Sequence, residues 1–387
     1  MDSAMMIMHD QEPLDWDLYS PQSMYQDLLP WYCANLSTLT YQMQCDAVRE
    51  HVSHKNLAAV CYGNVTADVN MICHSEVNSP HIDKYIGVGL VPVYWWSHAA
   101  IARDWYRYAQ HDPSLKDLPD VYEQDFVIYN RAWGGSREYR LKFADLVIEK
   151  ALVPAARISF STHDNGTYWR EHEFRNPVFR PNNDLEWLPP NLTTSSQSAG
   201  YSRQDYRICW WDVVLETLYD DQRWHLTEKI LRPIACNKPF LLLSTPGALG
   251  YLRSYGFRTF HDIIDESYDL ETDPVQRMTR VTEVMEYIRQ LSAAERREMQ
   301  RAIRHITAYN QQRFFSDAFI QEVWQEFMAN FESARQHCLA SRQGRNWIDL
   351  RRRLQQDAAA RSLVNQDNPR RTRQDIADLM RVCRSRR

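Results

Sequence analysis

No apolar run in this 387-residue chain reaches ten residues, which excludes a bilayer-spanning helix built from one continuous stretch. The eight cysteines (Cys33, Cys45, Cys61, Cys73, Cys209, Cys236, Cys338 and Cys383) form no CxxC pair and lie mostly inside apolar runs. They predict reduced, buried thiols, and neither a disulfide frame nor a zinc site. Also missing are the GxGxxG fingerprint, a P-loop and an HExxH pair, so the usual glycine cradles and helical zinc motifs do not apply. The first residues hold two acids, Asp2 and Asp10, around a short apolar Ala4 to Met8, with no basic segment or cleavage signal. A cytoplasmic protein is the expectation. The triplets at Asn35, Asn64, Asn165 and Asn191 are then chance matches to a glycosylation pattern.

What the chain does have is 44% hydrophobic and 12% aromatic residues, enough for a folded core. Its length suits two domains with an appendage. The net charge of −5 hides an asymmetry: residues 341–387 carry thirteen Arg against five Asp, a balance of +8 that leaves −13 for the rest. An acidic body with an Arg-rich tail points to contact with a polyanion such as DNA through the tail, unless the arginines form only a soluble surface.

The stretch Glu216 to Phe260 organises the reading. An apolar run, Ile208 to Val214, precedes it and reads as a buried strand, and Phe240 to Leu243 reads the same way. Between them Thr227 fits an N-cap and Asn237 a C-terminal stop, which predicts a helix of about ten residues starting at the ends of parallel strands. Such a start offers free N–H groups and the positive end of the helix dipole to an anion, and Lys229 and Arg232 add full charges. Glu228 beside them is an acceptor for two sugar hydroxyls. Together they suit a nucleotide sugar, and the plain alternative is a capped amphipathic helix with a solvated charged end.

Elsewhere strand and helix signals alternate. Ala4 to Met8, Leu57 to Tyr62, Asn70 to His74 and Leu90 to Trp96 read as strands, while Asn78 to Gly87 and Ser97 to Gln110, capped by Ser97, read as helices. That alternation predicts a parallel sheet with crossover helices. Polar residues at strand ends face the ligand crevice of such a sheet, which marks Asp10, Glu12, His74 and Glu76. Glu76 is the candidate general base, or a cap for the next helix together with Ser79. Asp15-Trp16-Asp17 matches the Asp-x-Asp pattern of metal-assisted transferases without its strand context.

Asp112 to Asp120 reads as a linker, after which the pattern restarts. Phe126 to Tyr129 is a strand, Asn130 to Ser136 a glycine-bearing loop, and Arg137 to Lys150 a helix opening on a cation that suits a phosphate. Ala156 to Thr162 is a further strand. The polar residues 163–206 read as a lid or insertion, and His163, Asp164, Glu171, His172 and Glu173 within them are a weakly patterned metal candidate. Helices are expected from Pro246-Gly247 to Ser254, then over Val275 to Leu291, Ala293 to Asn310 and Asp317 to His337. The domains are expected at 1–120 and 121–315, with a closing helix over 316–340 and an Arg-rich helical tail over 341–387.

Glu216-Thr217, Thr227-Glu228-Lys229 and the strand Pro239 to Leu243 occur in the order seen in the second domain of GT-B glycosyltransferases, and the chain resembles their α-1,3-fucosyltransferase-like branch. Ser75-Glu76 with Ser79-Pro80 is similar to that branch's Glu-Ser-Pro acid, and Arg137 to its basic residue after the first strand of the second domain. Asp10-Gln11-Glu12-Pro13-Leu14, Tyr94-Trp95-Trp96-Ser97-His98 and Arg137-Glu138-Tyr139-Arg140 resemble phage- and virus-encoded glycosyltransferase-like proteins, with His98 joining Asp10, Glu12 and His74 on the acceptor side. The resemblance covers roughly residues 70–260. It implies an α/β fold of two Rossmann-like domains facing a cleft, with a helical C-terminal extension. It implies a metal-independent, inverting sugar transferase in which Glu228 holds the donor ribose, Lys229 and Arg137 the diphosphate, and Glu76 deprotonates the acceptor. The acceptor is a hydroxymethylated base of phage DNA, which the basic tail suits, or a glycan. The rival readings are a non-catalytic nucleic-acid-binding protein on a transferase-like scaffold, and a metal-dependent transferase using the Asp15 pair or the His163 cluster.

Overall fold

The computed structural model describes residues 5–9, 57–61, 69–79, 82, 91–116, 119, 121–164, 166–188 and 200–341. Asp10, Glu12, the Asp15 pair and the Arg-rich tail lie outside them. In chain order the elements used below are β1 (Met5–His9), β2 (Leu57–Cys61), β3 (Val69–His74), β4 (Val91–Tyr94), α1 (Ser97–Trp105), β5 (Gln124–Asn130), α2 (Tyr139–Glu149) and β6 (Ala156–Phe160). After a short β7 (His163–Asp164) and β8 (Thr167–Tyr168) come α3 (Arg203–Ile208), β9 (Cys209–Leu215), α4 (Glu228–Ala235), β10 (Phe240–Leu243) and α5 (Ala248–Ser254). Three long helices close the described chain: α6 (Pro274–Gln290), α7 (Ala293–Phe315) and α8 (Asp317–Ser341).

The protein is α/β. Strands β10-β9-β5-β6 form a sheet whose every pairing is parallel. Both β9 and β10 are buried along their whole length, as expected of strands covered on both faces. A second sheet has the order β2-β1-β3-β4. The alternation predicts parallel strands there too, but β2 runs antiparallel to β1. The physical reason lies in the connections: β1 and β3 are parallel, and only residues 62–68 join β2 to β3, too few for the helix-bearing crossover that would let β2 run parallel to both.

The parallel sheet has a switch point. From β5 the chain moves outward one way to β6 and then returns to place β9 on the other side of β5, with β10 beyond it. In open α/β sheets ligands bind beyond the C-terminal ends of the strands at such a switch point; here these are the ends of β5 and β9, followed by the residues after Asn130 and after Leu215.

The helices carry further expected signals. Thr227 caps α4, its hydroxyl accepting from Lys229 N at 3.3 Å, and Asn237 adopts φ 57° just past the helix end. Gly247, at φ 82°, turns the chain into α5. The helix α1 differs from its expectation: its N-cap is Trp96, with no side-chain cap, and Ser97 is already inside the helix. The C-terminal helix α8 packs on β4 and α1, and Asn330 donates to the Tyr94 carbonyl at 2.8 Å. Arg103 of α1 donates to the carbonyls of Phe314, Phe315 and Ser316, placing a cation on the C-terminal end of α7.

Residues 163–188 are not a free lid. Trp169, Phe179, Leu185 and Leu188 are buried, and Asp145 of α2 accepts from Asn183 N and Nδ2. Glu138 likewise accepts from Arg175 N at 2.9 Å and Asn176 N at 2.7 Å. Segment and helix are thus joined by carboxylates that satisfy loop amides.

A buried lysine sits at the other edge of the parallel sheet. Lys238, 1% exposed, donates to the Cys209 carbonyl at 2.8 Å and lies 4.3 Å from the centre of the Tyr122 ring. Burial pushes its ammonium down to about 7. The folded value lies below the unfolded one of about 10.4, so the folded state binds fewer protons between these values and stability rises with pH across that window. Below about pH 7 the full penalty of the buried charge is present. Urea unfolding is expected to show wild type gaining about 2 kcal/mol between pH 7 and 9, a gain that Lys238→Met abolishes. Equal pH slopes in the two proteins would contradict the assignment.

Candidate functional site

The site starts from the end of β9. Glu216, 0% exposed, accepts from Thr227 N at 3.0 Å and from the Thr227 hydroxyl at 2.6 Å. This folds the loop 218–226 back so that α4 begins beside the end of β9. The Lys229 ammonium then spends three donors on the Thr217 hydroxyl (3.3 Å), the Thr227 hydroxyl (3.3 Å) and Glu228 Oε1 (3.0 Å). Its side chain retains 21% exposure and is the accessible member of the pair, since that of Glu228 has 6%.

The loop after β5 comes to the same place. Gly135, at φ 64°, and a short 3₁₀ turn through Arg137 let this loop reach the β9 end, where Ser136 donates to the Thr217 carbonyl at 3.1 Å. Arg140 donates both to the Ala132 carbonyl and to those of Leu215 and Glu216, stitching the two strand ends together. The short turn that carries Arg137 and the first turn of α4 that carries Lys229 therefore meet at Thr217.

The first sheet supplies the opposite side. Past β3, Val77 pairs with Trp224 through two backbone hydrogen bonds of 2.9 and 3.0 Å. Trp96 Nε1 donates to the Leu226 carbonyl at 2.7 Å. His98 of α1, 0% exposed, lies with Nδ1 3.1 Å from Glu228 Oε2. His225 presents Nδ1 to Ser75 at 3.4 Å, and its ring meets that of His98 edge to face at 5.0 Å. His74 packs its ring on Tyr94.

Burial is the largest influence on the Glu228 carboxyl and pushes it up, but the Lys229 charge and His98 outweigh it and hold the group well below the ordinary carboxylate range. Glu228 is an anion at neutral pH. A carboxylate has about four lone-pair sites, so Lys229 and His98 leave capacity for further donors.

Two site candidates land elsewhere. Arg232 points into the core and not to the crevice: Nε donates to the Tyr206 hydroxyl at 2.9 Å, Nη2 to Asp212 at 3.2 Å, and the guanidinium lies 4.3 Å from the Tyr129 ring centre. The reason is helical period, because Arg232 is one turn after the inward-facing Glu228 while Lys229 is displaced around the axis. Glu76 is buried and ion-paired, accepting from Ser79 at 2.8 Å and from Arg223 at 3.1 Å. Arg223 also grips Asp221. Asp10 and Glu12 lie outside the described residues.

In the 163–206 segment, Asp164 accepts from the backbone of Trp133 and Gly134, and His172 lies 3.3 Å from Glu138. Among the described residues no three His, Cys, Asp or Glu are placed to share a metal ion. No helix among them is long and apolar enough to cross a membrane.

No protein-family model, curated protein or solved structure matches this chain. Reasoning from the sequence missed Arg223, His225 and Glu216 as organisers. For Glu216 a signal existed, an acid directly after a seven-residue buried strand. For the His98 and Glu228 contact, spanning 130 residues, there was none.

Proposed function

We propose that the protein is a glycosyltransferase that moves a sugar from a nucleotide-sugar donor to an acceptor hydroxyl, with the two sheets acting as the two halves of a GT-B-type cleft. The observation that carries this reading is the placing of Glu228 and Lys229, at the start of a capped helix, beside the switch point of a parallel sheet. A switch point is where open α/β sheets bind ligands. There the partly exposed Lys229 ammonium, by exchanging one of its two hydroxyl partners for phosphate, and the N-terminal amides of α4 suit the diphosphate, with Arg137 on the adjoining loop. Glu228 keeps acceptor capacity for the ribose diol.

These residues supply positive charge for a departing nucleoside diphosphate. Thr227 shapes the pocket by fixing the start of α4 to Glu216. Arg232 takes no part and serves the core. Glu76 remains the proposed proton acceptor for the acceptor hydroxyl, with Arg223 holding it in place. A hydroxymethylated DNA base is the acceptor that suits the Arg-rich tail, and inversion follows from the family resemblance.

The experiment is a panel of UDP- and GDP-sugars with the protein in EDTA, read by thermal shift and by release of nucleoside diphosphate. One donor is expected to stabilise the protein and to be turned over. Stabilisation by a nucleotide sugar with no release under any acceptor contradicts the transfer step, and no stabilisation by any nucleotide contradicts the whole reading and favours the nucleic-acid-binding alternative.

A further inference from the structure

The Lys229 site is bounded on one side by a histidine from the other sheet, and this contact has a chemical direction. A carboxylate only accepts, so the 3.1 Å contact requires the proton of His98 on Nδ1, donating to Glu228 Oε2. No partner lies within reach of His98 Nε2 among the described residues, so nothing on that side of the ring competes for its orientation. Glu228 uses its other oxygen for Lys229. His98, Glu228 and Lys229 are thus a line of three groups that begins on α1, beside the first sheet, and ends at the crevice of the second.

We infer that His98 is a positioning residue for the donor site: by fixing Glu228 from the opposite half of the protein, it sets where Lys229 stands and makes the nucleotide pocket complete only when the two sheets are packed together. This rests on the transferase reading. His98 touches no ligand itself. Its effect passes through Glu228, because a carboxylate with one oxygen released turns toward the ammonium and draws Lys229 off the crevice.

The remaining neighbours agree with this role. Tyr106, directly after α1, donates to the Glu228 carbonyl at 3.3 Å, and Trp96, directly before it, donates to Leu226, so the two ends of α1 hold the backbone of the α4 start while His98 holds its side chain. Among the described residues, the titratable groups seen in contact with His98 are Glu228 of α4 and His225 of the preceding loop. Both the neutral Nδ1–H tautomer and the imidazolium donate to Glu228, so the tether survives protonation of His98.

The test compares His98→Phe, which keeps a ring and loses the donor, with His98→Asn, whose amide nitrogen takes the place of Nδ1. Calorimetry with UDP and GDP is the readout, alone and with Lys229→Ala. H98F is expected to weaken nucleotide binding about 10-fold or more. H98N is expected to stay within about 3-fold of wild type, a rescue that a packing role would not give. In the double variant the H98F effect should be clearly smaller than in wild type, because both substitutions act on one line of contacts. Equal losses in H98F and H98N, or full additivity with Lys229→Ala, would overturn the inference. If H98F fails to fold, His98→Leu replaces it in the same cycle.

A ligand-free measurement separates this inference from the reading beneath it. In ¹⁵N-labelled protein the His98 ring is expected to carry its proton on Nδ1, with a resonance that moves in Glu228→Gln. A proton on Nε2 alone overturns the tether whatever binds. An Nδ1 proton in a protein that binds no nucleoside diphosphate overturns the transferase reading and the ligand role built on it.

Discussion

Lys229→Ala is expected to lower kcat/KM for the nucleotide sugar by about 10²- to 10³-fold, the usual cost of losing one preorganised contact to developing charge. The protein should fold nearly as well as wild type, because the Lys229 side chain is 21% exposed and its three partners are hydroxyls and one carboxylate. Part of the loss comes indirectly. Glu228 retains only His98, so burial gains on the forces that keep the carboxyl ionised and the ribose acceptor weakens. Lys229→Arg should restore only a fraction, since a planar fork cannot reproduce donors that converge on Thr217, Thr227 and Glu228. Steady-state kinetics in EDTA decide it, and full turnover in Lys229→Ala would remove Lys229 from the donor site.

Arg232→Met is expected to lose about 3–5 kcal/mol of stability, because it leaves the buried Asp212 without its cation. Asp212 is 0% exposed, accepts from the Tyr206 hydroxyl at 2.5 Å, and has its carboxyl pushed up by burial while Arg232 pulls it back. The remaining carboxylate can escape part of the cost by taking up a proton, so the loss should be smaller at pH 5 than at pH 8. Replacing both, as Asp212→Leu with Arg232→Met, should recover most of the loss, since an apolar pair avoids desolvating two ions. Urea unfolding at the two pH values reads this. Stability within about 1 kcal/mol of wild type in the single variant would return Arg232 to the list of free cations.

Local chemistry made much of this legible in the sequence. The Thr227 cap, the left-handed Asn237, the turn at Gly247 and the apolar runs of β9 and β10 each follow from residues next to one another, and each stands where expected. The inward facing of Arg232 also has a signal in the sequence. Cys209-Trp210-Trp211-Asp212-Val213-Val214-Leu215 is a fully buried strand with a single acid, which demands a buried cation, and Arg232 one turn after Glu228 supplies it. The mixed first sheet was also foreshadowed, by the short segment between β2 and β3. By contrast the ion pair of Glu76 with Arg223 and the His98 contact to Glu228 join residues 147 and 130 apart, and no periodicity or spacing encodes such a meeting. Pairing with Arg223 narrows the base role proposed for Glu76, because its Oε2 already accepts from both Ser79 and the guanidinium.

The central claim is that a sugar nucleotide lies at the start of α4, and a crystal structure of the complex tests it most directly. The account predicts the diphosphate within hydrogen-bonding distance of Lys229 Nζ and the ribose hydroxyls facing Glu228. A nucleotide bound elsewhere, or an α4 start that excludes every UDP- and GDP-sugar offered, would contradict it.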